Sequence, residues 1–186
     1  MIFKQQTSMG LPDVMRYRRP RADFAQKAVM KWATIEEYDR VLDVDCGEGG
    51  LLAALDDVYH VTLCGLCHSA RKARAAREDF SGADILYARS ADIPFRSDSF
   101  DEVFVTRHTA TNCQDDALHE IFRVLRPGGQ VIVATRGMRV LFTDSEYEMD
   151  KRTVMRALQS AGFSDVSWRN AGLCGVIIGW KKRLNK

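Results

Sequence analysis

Charge of neither sign prevails in this chain. Lysine and arginine number 27 against 25 aspartates and glutamates in 186 residues, a formal net charge of +2. Charge alone therefore designates neither a nucleic acid nor an anionic membrane as partner. The opening residues, Met1-Ile2-Phe3-Lys4-Gln5-Gln6, lack the apolar core of a secretory signal. The longest uncharged apolar-rich run, Gly172 to Trp180, is far too short to span a bilayer. These two absences predict a cytoplasmic protein without a membrane partner. No internal repeat or low-complexity segment is present. Cysteine is sparse and odd in number: five residues, at 46, 64, 67, 113 and 174. In a reducing compartment these read as buried thiols. The run Cys64-Gly65-Leu66-Cys67-His68 matches the pattern for covalent haem attachment, but it lies at a strand end in a chain without an export signal. It also lacks the second ligand pair that a structural zinc needs, so no metal is expected. Residues three apart on a strand point to opposite faces, which argues against a Cys64–Cys67 bridge.

The chain has the makings of one domain with a sizeable core: 46% of its residues are hydrophobic and 28% charged. Its most informative stretch is Arg40-Val41-Leu42-Asp43-Val44-Asp45-Cys46-Gly47-Glu48-Gly49-Gly50. A short apolar strand runs into a glycine-rich turn, and a helical pattern over 51–55 follows. This order brings bare backbone amides up to a small polar ligand. Further strands are expected over 59–65, 84–88, 101–106, 130–135, 163–169 and 173–180. Helices are expected over 21–34, 69–80 (with Ser69 as N-cap) and 146–161, where Ser145 and Glu148 offer a capping box. Leu118, Ile121, Phe122 and Leu125 recur at helical spacing, the stripe of a core-facing helix that Pro127-Gly128-Gly129 should stop. Alternating strands and helices predict an α/β fold with a doubly wound, mostly parallel sheet. The last two strands have no helix between them, so they should pair antiparallel at one side. The cluster Arg16, Arg18, Arg19 and Arg21 reads as a solvated arm, so nucleic acid is not an expected partner. The basic tail Lys181-Lys182-Arg183 reads as a solubilising end.

Four segments carry a resemblance. Val41-Leu42-Asp43-Val44-Asp45-Cys46-Gly47-Glu48-Gly49 resembles the first motif of the class I S-adenosylmethionine-dependent methyltransferases, V-L-D-x-G-x-G-x-G. Ile93-Pro94-Phe95-Arg96-Ser97-Asp98-Ser99-Phe100-Asp101-Glu102-Val103 is similar to the family's L-P-F-x-x-x-S-F-D-x-V. Glu120-Ile121-Phe122-Arg123-Val124-Leu125-Arg126-Pro127-Gly128-Gly129 is similar to E-x-x-R-V-L-K-P-G-G, and Ala161-Gly162-Phe163 to A-G-F. The resemblance implies a Rossmann-like methyltransferase fold of seven strands with an antiparallel terminal strand. It divides the chain into an N-terminal arm and helix over 1–35, a lid that includes Tyr17, and a methyltransferase-like domain over 36–186.

It also implies a site for S-adenosylmethionine. The turn Asp43, Asp45, Cys46, Gly47 and Gly49 would receive the amino-acid end, yet Asp45 stands where the family has its first glycine. Cys67 takes the place of the acid that accepts the ribose hydroxyls, and a thiol is a weak acceptor. Arg89 and Ser90 align with the residues that flank the adenine, with Ala91 and Asp92 beside them. Thr106 ends the fourth strand at the methyl-transfer position, and His108 is the candidate base. Glu120 and Arg123 should pair on their helix without a catalytic role, and Trp32 and Trp168 should pack. The function implied is methyl transfer to a small-molecule acceptor, recognised by residues 1–35, 106–112 and 137–147 or completed by a partner protein. The departures at 45, 67 and 89 imply weakened or lost cofactor binding. They keep open a second function, a catalytically degenerate binding or regulatory protein.

Overall fold

The computed structural model describes residues 20–106, 113–136, 151–172 and 174–183. Its frame is a seven-stranded sheet in the order β3-β2-β1-β4-β5-β7-β6. The strands are β1 (Arg40–Val44), β2 (Thr62–Cys67), β3 (Asp84–Tyr87), β4 (Phe100–Val105), β5 (Leu125–Arg136), β6 (Ser164–Asn170) and β7 (Cys174–Trp180). The first five pair in parallel, and β7 enters antiparallel between β5 and β6. The expected terminal pair is thus present, with its last strand inserted one place inside the edge. The helices are α1 (Phe24–Met30), α2 (Gly50–Asp56), α3 (Ala70–Asp79), α4 (Asp115–Val124) and α5 (Lys151–Ser160). Each face of the sheet carries its own apolar cluster. Val41, Leu51, Leu52 and Phe104 belong to one; Leu42, Val44, Phe100, Leu118 and Ile121 belong to the other. Central strands buried on both sides read as continuous apolar runs for this reason.

Local chemistry sets the element ends. Asp23 and Gln26 form a capping box at α1, and the Ser69 hydroxyl caps α3 by accepting from the Lys72 amide. β2 begins at Thr62 rather than 59, because the Val58 and Tyr59 amides still donate to the Leu55 carbonyl and finish α2. The ladder starts where the Thr62 amide donates to the Asp39 carbonyl (2.9 Å). α1 spans only 24–30 of the expected 21–34. α4 ends at Val124, before the Pro127-Gly128-Gly129 run: Leu125 is already extended and pairs with Phe100. Pro127 falls where the β4–β5 register shifts, an irregularity that tolerates a strand proline. α5 is described from Lys151; residues 146–150, with their capping glutamate, lie outside the described residues, as does Ser145.

The basic tail is partly structural. Lys181 Nζ donates to the Phe122 and Leu125 carbonyls (2.9 and 2.7 Å) and to Asp98 Oδ1 (2.7 Å). It thereby neutralises the carbonyl end of α4, a role that suits a cation. This corrects the reading of Lys181 as a solubilising residue. Among the described residues no helix is long and apolar enough to cross a membrane.

Candidate functional site

The carboxyl ends of β1, β2 and β4 and the loop after β3 meet at one rim of the sheet. The turn after β1 is built on left-handed backbone: φ is +64° at Asp45, +59° at Gly47 and +82° at Gly49. Glycine takes such angles freely, and aspartate is among the few other residues that enter them. Asp45 therefore keeps the conformation that a glycine would supply at that position, and it adds a carboxylate only 6% exposed. Asp43, at the end of β1, is fully buried. Glu48 is the exposed tip of the turn. The N-terminal segment crosses the start of α2: a Cβ at Gly50 would meet the Arg21 carbonyl oxygen at 2.5 Å, so only glycine fits.

Cys67 sits where the ribose acid was expected, but its sulfur turns inward. It donates to the Gly47 carbonyl (3.2 Å) and lies 3.4 Å from Cys46 Sγ. Gly65 makes room for this contact, since a Cβ there would meet Cys46 Sγ at 2.8 Å. Cys64 belongs to the opposite face, as the strand alternation requires, and contacts Arg40. With the Cys67 hydrogen on Gly47, the hydrogen between the sulfurs comes from Cys46. That bond holds the Cys67 thiol below its usual range, and it pushes Cys46 up together with burial.

After β3 the chain makes a tight turn, with the Asp92 amide donating to the Arg89 carbonyl (3.1 Å). Ser90 is buried; Arg89, Ala91 and Asp92 are exposed. Arg89 therefore does not plug the rim. The E-x-x-R pair of α4 clamps the chain that follows. Arg123 donates through Nη2 to the Ile93 carbonyl (2.9 Å) and through Nη1 to the Phe95 carbonyl (2.8 Å), while Glu120 accepts from the Ile93 amide (2.9 Å). The Glu120–Arg123 ion pair closes the clamp at 2.6 Å and holds the Glu120 carboxyl below its ordinary range. Arg123→Ala removes these donors, at about 1.5–3 kcal/mol for a charged hydrogen-bonded group. Urea unfolding should show a loss of that size, and Arg123→Lys, which lacks the planar fork, should recover little of it.

Among the described residues, Thr106 Oγ1 at the end of β4 and Gln26 Nε2 on α1 beside Gly50 are buried polar atoms without a hydrogen-bond partner. Buried polar groups are ordinarily bonded, so such atoms suit an absent ligand. The left-handed glycine turn thus suits the amino-acid end of an adenosyl amino acid, and the Thr106 hydroxyl suits the transfer position. The inward Cys67 sulfur offers the ribose no acceptor. Gln26 was not among the residues read from sequence, where its only signal is the capping pattern with Asp23. Arg107 and His108 lie outside the described residues, as do 1–19 and 137–150. Among the described residues no group of three or more metal-ligating side chains comes together.

A family model described as a methyltransferase domain matches residues 42–133, the span from β1 into β5 that carries the glycine turn, Cys67, Ser90 and Thr106. A crystal structure of an S-adenosylmethionine-dependent methyltransferase from Aquifex aeolicus superposes with a TM-score of 0.72, at 20% identity over 84% of this chain and 89% of that one. The chain belongs to the class I S-adenosylmethionine-dependent methyltransferases. This methyltransferase-family chain is also similar to the demethylmenaquinone methyltransferase of Listeria welshimeri. The two are 30% identical over 118 residues, 57% of this chain and 48% of the relative. The same fold occurs in the complex between the Haloferax volcanii Trm112 methyltransferase activator and a methyltransferase (TM-score 0.70, 21% identity, 86% of this chain and 90% of that one). The matched region spans half or less of the length of the curated relatives.

Proposed function

We propose that this protein transfers a methyl group from S-adenosylmethionine to a small-molecule acceptor. The observation that carries the reading is the buried turn Asp43–Gly49, left-handed at 45, 47 and 49, beside the unpartnered Thr106 hydroxyl. The cofactor supplies a sulfonium already activated for methyl loss, so the chain's work is to bind and align. Gly47 and Gly49 leave the turn's backbone bare to a ligand, Asp43 is an acceptor for an ammonium, and Thr106 Oγ1 is free to bond at the transfer position. The Glu120–Arg123 clamp holds the segment after Ser90, Ala91 and Asp92 beside the adenine. Cys67 contributes no ribose acceptor, so affinity is lower than with an acid there. His108 is the base where the acceptor has a proton to lose. Residues 1–35 act as lid, and the segments 106–112 and 137–147 recognise the acceptor in the domain 36–186. The Listeria relative supports a small-molecule acceptor, and the Haloferax complex a partner protein that completes the site. A cytoplasmic location suits both.

Thermal melting with S-adenosylhomocysteine tests binding. Ligand at 100 times its Kd adds about 2.7 kcal/mol to native stability, roughly 5–10 °C for a chain of this size. No shift with either the methylated or the demethylated cofactor rejects the reading and leaves a scaffold without a donor.

A further inference from the structure

The two thiols joined at the rim have no task in the proposed transfer. Cys46 and Cys67 lie 21 residues apart in sequence, on neighbouring strand ends, and both are buried. We propose that they are a reversible disulfide-forming site, closed by peroxide, that links the glycine turn to the end of β2. Three observations carry this. First, the backbones are adjacent: Val44 pairs with Leu66, and the Cys46 amide donates to the Leu66 carbonyl (2.8 Å). Neighbouring strands are about 4.8 Å apart, which is within the span a disulfide bridges. Second, the sulfurs are already in contact at 3.4 Å, with no side chain between them. Third, the contact is polarised. Cys46 points its hydrogen at Cys67, which favours the thiolate of Cys67 and leaves Cys46 protonated. That asymmetry divides the labour of a redox pair into nucleophile and resolving thiol.

The chemistry balances with hydrogen peroxide as oxidant. The Cys67 thiolate attacks one peroxide oxygen; an S–O bond forms, the O–O bond breaks, and hydroxide leaves. The sulfur gives up the two electrons that reduce the peroxide and becomes a sulfenic acid. Cys46 then attacks that sulfur; the S–S bond forms, the S–O bond breaks, and the departing hydroxide takes the Cys46 proton as water. Burial beneath the Gly47 peptide restricts the oxidant to one nearly as small as water. Closing the bridge removes the donor from the Gly47 carbonyl and ties down the turn. Cys64, on the opposite face against Arg40, is out of reach of either sulfur.

Peptide mapping of the whole protein after peroxide treatment and thiol blocking is the test. The expected product is a Cys46–Cys67 linked peptide pair, lighter by two hydrogens and reversed by dithiothreitol. Cys64→Ala should keep this link, and Cys46→Ala should replace it with a Cys67 sulfenic acid that dimedone traps when the protein is unfolded in urea. Where Cys46→Ala fails to fold, the variant Cys64→Ala/Cys113→Ala/Cys174→Ala retains the pair, and both of its remaining thiols should vanish from a thiol titration after peroxide. Two thiols that persist in that variant, or a link from Cys67 to Cys64 in the wild type, overturn the proposal. Neither readout requires cofactor binding, so the outcome is separable from that of the melting experiment.

Discussion

Raising the pH from 5 to 9 should strip this protein of several kilocalories per mole of stability, and Glu102→Gln should abolish most of that loss. Glu102 lies on β4, where it is 2% exposed and far from the rim. Burial lifts its carboxyl from 4.5 to about 9, and the nearby Asp39 and Asp101 add to the rise. The folded-state pKa is the raised one, so the folded chain holds a proton that the unfolded chain releases. Stability is therefore complete below pH 4.5 and declines as pH climbs through 9. At about 1.36 kcal/mol per unit the ceiling of the loss is about 6 kcal/mol, comparable with the whole stability of many domains. Gln130 Nε2 donates to Glu102 Oε1 (2.5 Å), which favours the charged form, but the burial of the carboxyl outweighs that bond. Glu102→Gln presents an uncharged group of the same shape. Urea titrations at pH 5, 7 and 9 should give a nearly flat profile for the variant and a falling one for wild type. Parallel profiles would mean that Glu102 is ionised in the native state.

The fold was legible because its signals are local. The apolar strand expected before the glycine turn is found as β1, because the turn that follows it immediately marks its end. The stripe of Leu118 and Ile121 faces the core as its spacing demands. What was not legible depends on direction rather than position. Cys67 occupies the expected place, but only coordinates reveal that its sulfur bonds Gly47 and Cys46 instead of facing a ligand. The boundaries of β2 and β5 moved because neighbouring helices claim or release single carbonyls, and no composition signal marks that. The clamp of Glu120 and Arg123 on the loop after β3 spans up to 30 residues; spacing on α4 predicts the pair but not its target. Lys181 likewise reads as tail until the end of α4 is placed beside it.

Asp45→Gly should tighten binding of S-adenosylhomocysteine at least tenfold. The backbone at 45 is already left-handed, so glycine inherits the turn unchanged. Relief of the side-chain clash in that region, about 1–2 kcal/mol, is opposed by the greater freedom of glycine in the unfolded chain. The melting temperature of the unliganded variant should hence move little, and a gain in affinity cannot come from repair of the fold. Electrostatics supply it instead. Asp43 and Asp45 are both buried in one short turn, whereas the amino-acid end of the ligand brings a single ammonium and a carboxylate. One acid matches the ammonium; the other faces like charge. Two unit charges 4 Å apart at an effective dielectric near 20 repel by about 4 kcal/mol, and a third of that suffices for a tenfold change in Kd. Calorimetric titration of wild type and variant at equal ionic strength decides the matter. A Kd that stays constant or weakens, with melting unaltered, assigns the ammonium to Asp45 and removes repulsion as the cost of this departure from glycine.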